Sequence, residues 1–352
     1  GTLTVRSGGS LNTLCQPITG PGSFVLQADA TLHICDAQGI SASGPTGAIQ
    51  LTGSRSFSPA ATYSYNGPQG QPQVTGSGLP TQVRNLDSYN DAGLTLSQDL
   101  SLLRLLRLLG NGNLNLNGHS LTLLSSDTLT AMVVDGNGQV SGPATVQRYL
   151  SPGQNAGLGY RHLSAPVRNT TVADLATSRF TPVVNPAYNS SATPNLVTPF
   201  PTVFGYNQQR LATSPATTYA PFDKGWVSPA ALTDALLPGQ GYTVNLAAAQ
   251  TVDFAGTLFS GSLLLTMPRG TDANAGWHLL GNPYPAPLDW SAVVPADRPG
   301  LSAAVYVYES TGPYAGRYRN YINGIGNPVL PLGQAFFVRV ADGQTSASLT
   351  LR

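Results

Sequence analysis

The chain has 352 residues, of which only 9% are Asp, Glu, Lys or Arg, and its formal net charge is +1. It contains one lysine, Lys224, and one glutamate, Glu309, so nearly all of its charge is Arg and Asp. This balance excludes a strong field for nucleic acid or an anionic membrane, no apolar run reaches the roughly 18 residues of a membrane helix, and acid–base or covalent catalysis has little stock to draw on. Gly, Ser, Thr, Asn, Leu, Val and Pro fill the space instead, which is the material of turns and strands. The expectation is an all-β scaffold that needs no cofactor.

The chain opens with Gly1-Thr-Leu-Thr-Val5, already inside a strand pattern, as a processed or excerpted chain would. Leu3-Thr-Val5, Phe24-Val-Leu26, Ile49-Gln-Leu51, Leu94-Thr-Leu96 and Leu114-Asn-Leu116 alternate apolar with polar residues, a strand signal. The turn Ser7-Gly-Gly-Ser10 before Leu11 is echoed by Asp29-Ala-Thr31 before Leu32, and Cys15 and Cys35 keep nearly the same offset. A period near 20 residues is that of stacked β-solenoid coils. Stacked strands lie about 4.8 Å apart, within reach of a disulfide. Cys15 and Cys35 are therefore expected to staple two neighbouring coils, although a long hairpin would place them equally well and two reduced thiols are the alternative. Only His33 lies near them as a further soft ligand, which speaks against zinc.

Leu100-Ser-Leu-Leu-Arg-Leu-Leu-Arg-Leu-Leu109 is ambiguous. Its residues are good helix formers, with Arg104 and Arg107 on one helical face, but strand patterns on both flanks favour a strand. Asn111-Gly-Asn-Leu-Asn-Leu-Asn-Gly118 alternates with period two and suits a coil wall with an asparagine ladder. Asp135-Gly-Asn-Gly138 between valines predicts a hairpin turn, since a calcium loop needs more oxygen ligands. Beyond about residue 143 the texture changes. Loops rich in Pro, Asn, Ser and Thr occupy roughly 182–222, while Tyr242–Leu246, Ser262–Thr266, Ala304–Tyr308 and Ala335–Val340 read as strands. The fold expected is a short β-solenoid-like region over 1–143 and an antiparallel β-sandwich-like module over 144–352.

Five segments of the second half occur in a telling order: Thr145-Val-Gln-Arg-Tyr-Leu150, Gly159-Tyr-Arg-His-Leu-Ser-Ala-Pro166, Pro238-Gly-Gln-Gly-Tyr242, Gly276-Trp-His-Leu-Leu-Gly-Asn-Pro-Tyr-Pro285 and Gly333-Gln-Ala-Phe-Phe-Val338. The series resembles a β module of secreted Bacteroidetes surface proteins, one that usually precedes a C-terminal type IX secretion sorting domain. The first half, including Ile49–Phe57 and Tyr63–Gly67, is similar to the Gly/Thr-rich repeats found before that module. The resemblance implies a secreted, cell-surface location and no known catalytic residues. Leu349-Thr-Leu-Arg352 ends the chain without the sorting domain, which fits a mature product. In the same setting Asp127-Thr-Leu129 resembles a short Bacteroidetes O-glycosylation motif, making Thr128 a candidate. A bacterial origin would leave the Asn169-Thr-Thr171 and Asn189-Ser-Ser191 patterns idle.

Candidate chemistry is sparse. His33, His119, His162 and His278 fall in strand-like segments without partners at metal spacing, so no metal is expected. Asp87, Asp91 and Asp99 are the nearest approach to a solenoid glycosidase or lyase cluster, but Asp87–Gly93 reads more simply as a turn between coils. Trp226, Trp277 and Trp290 lie in motif segments and read as core. Tyr314, Tyr318 and Tyr321, interleaved with Arg317 and Arg319, form a candidate binding surface for a sugar or protein partner, against the simpler reading of a strand with a Tyr core face and an Arg outer face.

The functional expectation is a non-enzymatic, secreted cell-surface structural or adhesive protein. Open solenoid ends favour head-to-tail association and hence a filament or sheath. Its partners would be copies of itself or other cell-surface components, with no nucleic acid and no membrane insertion. A carbohydrate-binding adhesion module with a glycan partner is the alternative, and a solenoid polysaccharide-degrading enzyme comes third.

Overall fold

Apolar residues at every second position, with Gly and Asn at the corners, fold the first part of the chain into short parallel strands. The computed structural model describes residues 1–68 and 70–352 and divides into two compact units. The first comprises Gly1–Gln147 and Gly256–Leu258, the second Arg148–Ala255 and Phe259–Arg352. The chain is nearly all β, with 40% strand against 7% helix. No helix among the described residues is long and apolar enough to cross a membrane.

The first unit contains a β-solenoid of about 6 turns. Along one wall, Leu11, Leu32, Tyr63, Leu86, Leu106 and Val133 are successive partners in register. Leu32, Tyr63, Leu86 and Leu106 are fully buried. Each such side chain removed from water contributes about 1.5–3 kcal/mol. A second wall stacks Gln73-Val74, Leu94-Thr95, Leu114-Asn115 and Val140-Ser141. A third runs Thr2–Val5, Ser23–Leu26 and Arg55–Phe57.

Cys15 and Cys35 follow the paired strands Ser10–Asn12 and Thr31–Ile34 and are disulfide-bonded, with a Cα–Cα distance of 4.6 Å. They staple adjacent coils, as expected. The even period is not kept, because residues 35–48 form an extra loop before the strand Ile49–Leu51. That loop joins the ladder through Val74 N–H to Ala37 O (3.0 Å) and Ile40 N–H to Thr75 O (3.2 Å). Gly39 sits there at φ +67°, where a Cβ would lie 2.3 Å from Val74 O, so only glycine lets the two backbones meet.

Leu100–Leu108 is one long strand. Its helix formers yield to neighbours on both sides, Gln82–Ser88 and the coil above, that complete its hydrogen bonds. In the asparagine-rich stretch Leu114 and Leu116 are buried while Asn113, Asn115 and Asn117 face out. No asparagine ladder forms there, because the register sets Asn115 beside Thr95 and Ser141. Asn113 Oδ1 accepts from Gln139 N–H (2.8 Å) and Asn115 Oδ1 from Asn117 N–H (2.9 Å), so these amides brace corners. Asp135–Gly138 turns, but between two walls of a coil: Met132–Asp135 and Val140–Ser141 each pair in parallel with the preceding coil, so the expected hairpin is absent.

The second unit is built from antiparallel sheets. One four-stranded sheet runs Tyr160–Leu163, Tyr242–Asn245, Val203–Tyr206 and Trp226–Val227. A five-stranded sheet runs Trp277–Gly281, Ala335–Arg339, Val305–Ser310, Gly316–Ile322 and Ile325–Gly326. Both faces of the five-stranded sheet are covered, which explains its nearly continuous apolar runs. Leu280, Val305, Val307, Phe336 and Val338 pack with Met267, Ala347, Leu349 and Leu351 of the two-stranded ladder Leu263–Pro268 and Ser346–Leu351. Leu279 and Phe337 on the other face meet Tyr206, Phe222 and Trp226. Within 182–222, read as loop from its Pro and Asn content, lies the strand Val203–Tyr206, with Val203 and Phe204 buried.

Candidate binding site

The segment Tyr160-Arg-His-Leu163 is a strand, so alternation sends Tyr160 and His162 to one side and Arg161 and Leu163 to the other. Across the four-stranded sheet His162 stands opposite Thr243, and Thr243 opposite Phe204. Facing this row are Tyr308 and Tyr318, directly paired on the five-stranded sheet with ring centroids 5.2 Å apart. His162 stacks on Tyr308 at 4.8 Å, with Phe337 at 5.7 Å and Trp226 at 6.2 Å edge-on. Tyr188 packs against Phe204 at 5.0 Å and Phe200 at 5.8 Å.

These rings, Phe337 apart, wall together with Tyr160 and Tyr219 a cavity of about 340 Å³ in which Asp223 is the one carboxylate among the described lining residues. Burial without a counter-charge pulls the His162 imidazole down to about 3 and pushes the Tyr160 phenol up to about 12. The Asp223 carboxyl is also raised by partial burial, a shift opposed by its hydrogen bond from the Trp226 side chain. At neutral pH the His162 imidazole and the Tyr160 phenol are thus both uncharged, and the cavity wall is mostly rings.

A second, polar cavity of about 290 Å³ shares Tyr160, His162 and Tyr308 with the first. It is lined by Arg148, Arg161, Arg319, Glu309 and Gln334, among others. Arg161 Nη2 donates to Asn155 O (2.7 Å), and Arg319 donates to the carbonyls of Asn327 and Val329 (both 3.0 Å). Glu309 lies 2.9 Å from Arg317 and 3.6 Å from Arg319. Arg148 differs. Its Nε is enclosed without a hydrogen-bond partner, and it makes no ion pair among the described residues. Burial lowers its pKa.

Four of the five residues of the expected Tyr/Arg surface divide between the two faces of the strand Gly316–Ile322, and Tyr314 precedes it. Tyr318 lines the aromatic cavity, and Tyr314, 84% exposed, reaches to 6.5 Å from Tyr160 at its edge. Arg317 and Arg319 lie on the opposite face around Glu309, and Tyr321 on that face packs against the core. Of the tryptophans Trp290 is core, whereas Trp226 walls the cavity. Tyr160, His162, Phe204 and Arg148 were missed as site residues. The signal for two of them was present, in the alternating Tyr160-Arg-His162, but their partners lie far away in sequence.

The remaining candidates are engaged separately. Asp87 lies in a strand, not in a turn; it is buried and bonded to Arg107 at 2.6 Å. Burial raises the Asp87 carboxyl, and the Arg107 hydrogen bond opposes that shift. Asp91 accepts from Gly70 N–H (3.2 Å) and Asp99 from Ser120 N–H (2.8 Å). His119 lies outside any strand, 3.6 Å from Asp99. No group of three or more His, Cys, Asp or Glu among the described residues is placed to hold a metal ion. Thr128 is exposed in a turn, its hydroxyl 3.3 Å from that of Ser126.

Comparison with protein-family descriptions, curated proteins and solved structures finds no match to this chain.

Proposed function

We propose that this chain is a non-enzymatic, secreted adhesive protein of the cell surface, in which the solenoid is a scaffold and the second unit binds a carbohydrate. The observation that carries this reading is the ring-walled cavity of Tyr160, His162, Phe204, Trp226, Tyr308 and Tyr318. Aromatic rings offer apolar faces to the C–H faces of a sugar, and their hydroxyls offer hydrogen bonds at the edges. The disulfide supports an oxidising, extracellular setting. The test is a glycan array probed with the full chain and with Tyr308→Ala and Tyr318→Ala. Binding by the parent that both variants lose is expected. An array on which the parent binds nothing defeats the reading.

A second reading, a self-assembling filament or sheath subunit, draws on the first coil. Thr2–Val5, Ser10–Asn12 and Ile18–Gly20 are each the outermost strand of their sheets, so three parallel edges at one end have no partner among the described residues. Such edges pair with other strands. Electron microscopy across a range of concentrations decides it: regular filaments are expected, and isolated particles at every concentration exclude it.

A further inference from the structure

Arg148 stands apart among the arginines of the polar cavity. Arg148 is half-buried, with its Nε enclosed and unpartnered, and a guanidinium cannot shed its proton to escape desolvation, so that cost persists unless an anion meets it. The other charged side chains nearby are already hydrogen-bonded: Arg161 and Arg319 donate to carbonyl oxygens, and Glu309 is held between Arg317 and Arg319. The pocket therefore carries more guanidinium than carboxylate, and among its arginines the Arg148 Nε has no hydrogen-bond partner. It also opens on the same three rings, Tyr160, His162 and Tyr308, that wall the aromatic cavity.

We propose that the polar pocket is an oxyanion site centred on Arg148, and that the ligand is an acidic saccharide whose carboxylate or sulfate meets Arg148 while a sugar ring lies in the adjoining aromatic cavity. The planar fork of arginine matches either oxyanion with two parallel hydrogen bonds. His162 stays neutral between the two cavities and so leaves the anion to the arginines. This inference rests on the carbohydrate reading above and specifies its ligand.

The experiment uses the full chain on an array carrying uronate-containing, sialylated, sulfated and neutral glycans, followed by calorimetry on the best binder and on its carboxyl-reduced or desulfated form. Acidic glycans are expected to dominate. Removing the anionic group, or substituting Arg148→Gln, is expected to weaken binding by about ten-fold or more, since a charge-assisted bidentate contact is lost. Arg148→Lys keeps the charge without the fork and falls between. The chemically neutralised glycan needs no variant, so a misfolded Arg148→Gln does not blunt the test. Binding confined to carboxylated or to sulfated glycans supports the site and names the source of the oxyanion. Neutral glycans bound as tightly as acidic ones overturn the oxyanion site and leave the carbohydrate reading standing. Binding to no glycan of any set overturns both.

Discussion

Lowering the pH should loosen the second unit through one residue, His162. Its pKa is about 3 in the folded chain, because a fully enclosed imidazole stacked on Tyr308 has no counter-charge, against an ordinary value of 6.5. A base with a depressed folded pKa takes its proton preferentially in the unfolded chain. Its contribution to stability is thus complete above pH 6.5, falls as pH drops towards 3, and changes no further below that. The full span is worth roughly 4–5 kcal/mol, and at pH 5 the unfolded state has already gained about 2 kcal/mol. That pH is a useful window, since ordinary carboxylates are still largely ionised there. Trp226, Trp277 and Trp290 all lie in the second unit, so tryptophan fluorescence during urea unfolding reports on it alone. The comparison is the parent against His162→Phe, which fills the same ring wall without a titrating nitrogen. His278, also lowered by burial, acts in the same direction in both proteins and cancels. The parent should lose about 2 kcal/mol more than the variant between pH 7.5 and pH 5. Equal losses would refute the argument.

The double variant Cys15→Ser/Cys35→Ser removes a cross-link spanning 20 residues and should cost about 3 kcal/mol, with hydrogen exchange speeding up in the first two coils and little beyond them. Exchange that rises evenly along the solenoid would contradict the nearest-neighbour picture. Leu106→Ala, in the middle of the buried ladder between Leu86 and Val133, should cost about 2–5 kcal/mol in denaturant unfolding; a loss below 1 kcal/mol would mean the coil collapses around the gap. Arg107→Ala strands the buried Asp87 carboxylate and should cost about 3 kcal/mol at neutral pH, a deficit that shrinks on acidification as Asp87 takes a proton. A deficit independent of pH would place the loss in packing.

The solenoid was legible because its signals are local. Alternation in Phe24-Val-Leu26 or Leu114-Asn-Leu116 marks a wall, and the matched offsets of Cys15 and Cys35 mark the stacking of one coil on the next. The stretch at Leu100–Leu108 could be read as strand only from its flanks, since its own residues favour helix. Where coil length varies, as at residues 35–48, the period blurs, and nothing in those residues announces that Gly39 touches Val74. Asp135–Gly138 misled for a related reason: the same turn residues serve an antiparallel hairpin and a solenoid corner. The binding site was the least legible part. Tyr318 drew notice beside its arginines, but alternation separates it from them, and what it faces is His162 and Tyr308. The contact with His162 joins segments more than a hundred residues apart, and a cavity has no signature along the chain.

Scarcity of charge is what makes the charges informative. A surface crowded with Lys and Glu offers every arginine a nearby partner, so an isolated one is lost in the noise. Here, with 17 basic and 16 acidic residues in the whole chain, placements stand out. Arg107 holds Asp87, Arg269 holds Asp342, Arg352 holds Asp297, and Glu309 sits between Arg317 and Arg319. Others, such as Arg55 and Arg161, spend their donors on backbone carbonyls at loop crossings. Each of these placements stabilises the fold by satisfying a group already present in it. Arg148 instead leaves its enclosed Nε without a partner, beside the rings that wall the larger cavity. An arginine nitrogen left so, where the rest of the chain economises on charge, is what the proposed acidic ligand would satisfy, since the planar fork matches an oxyanion.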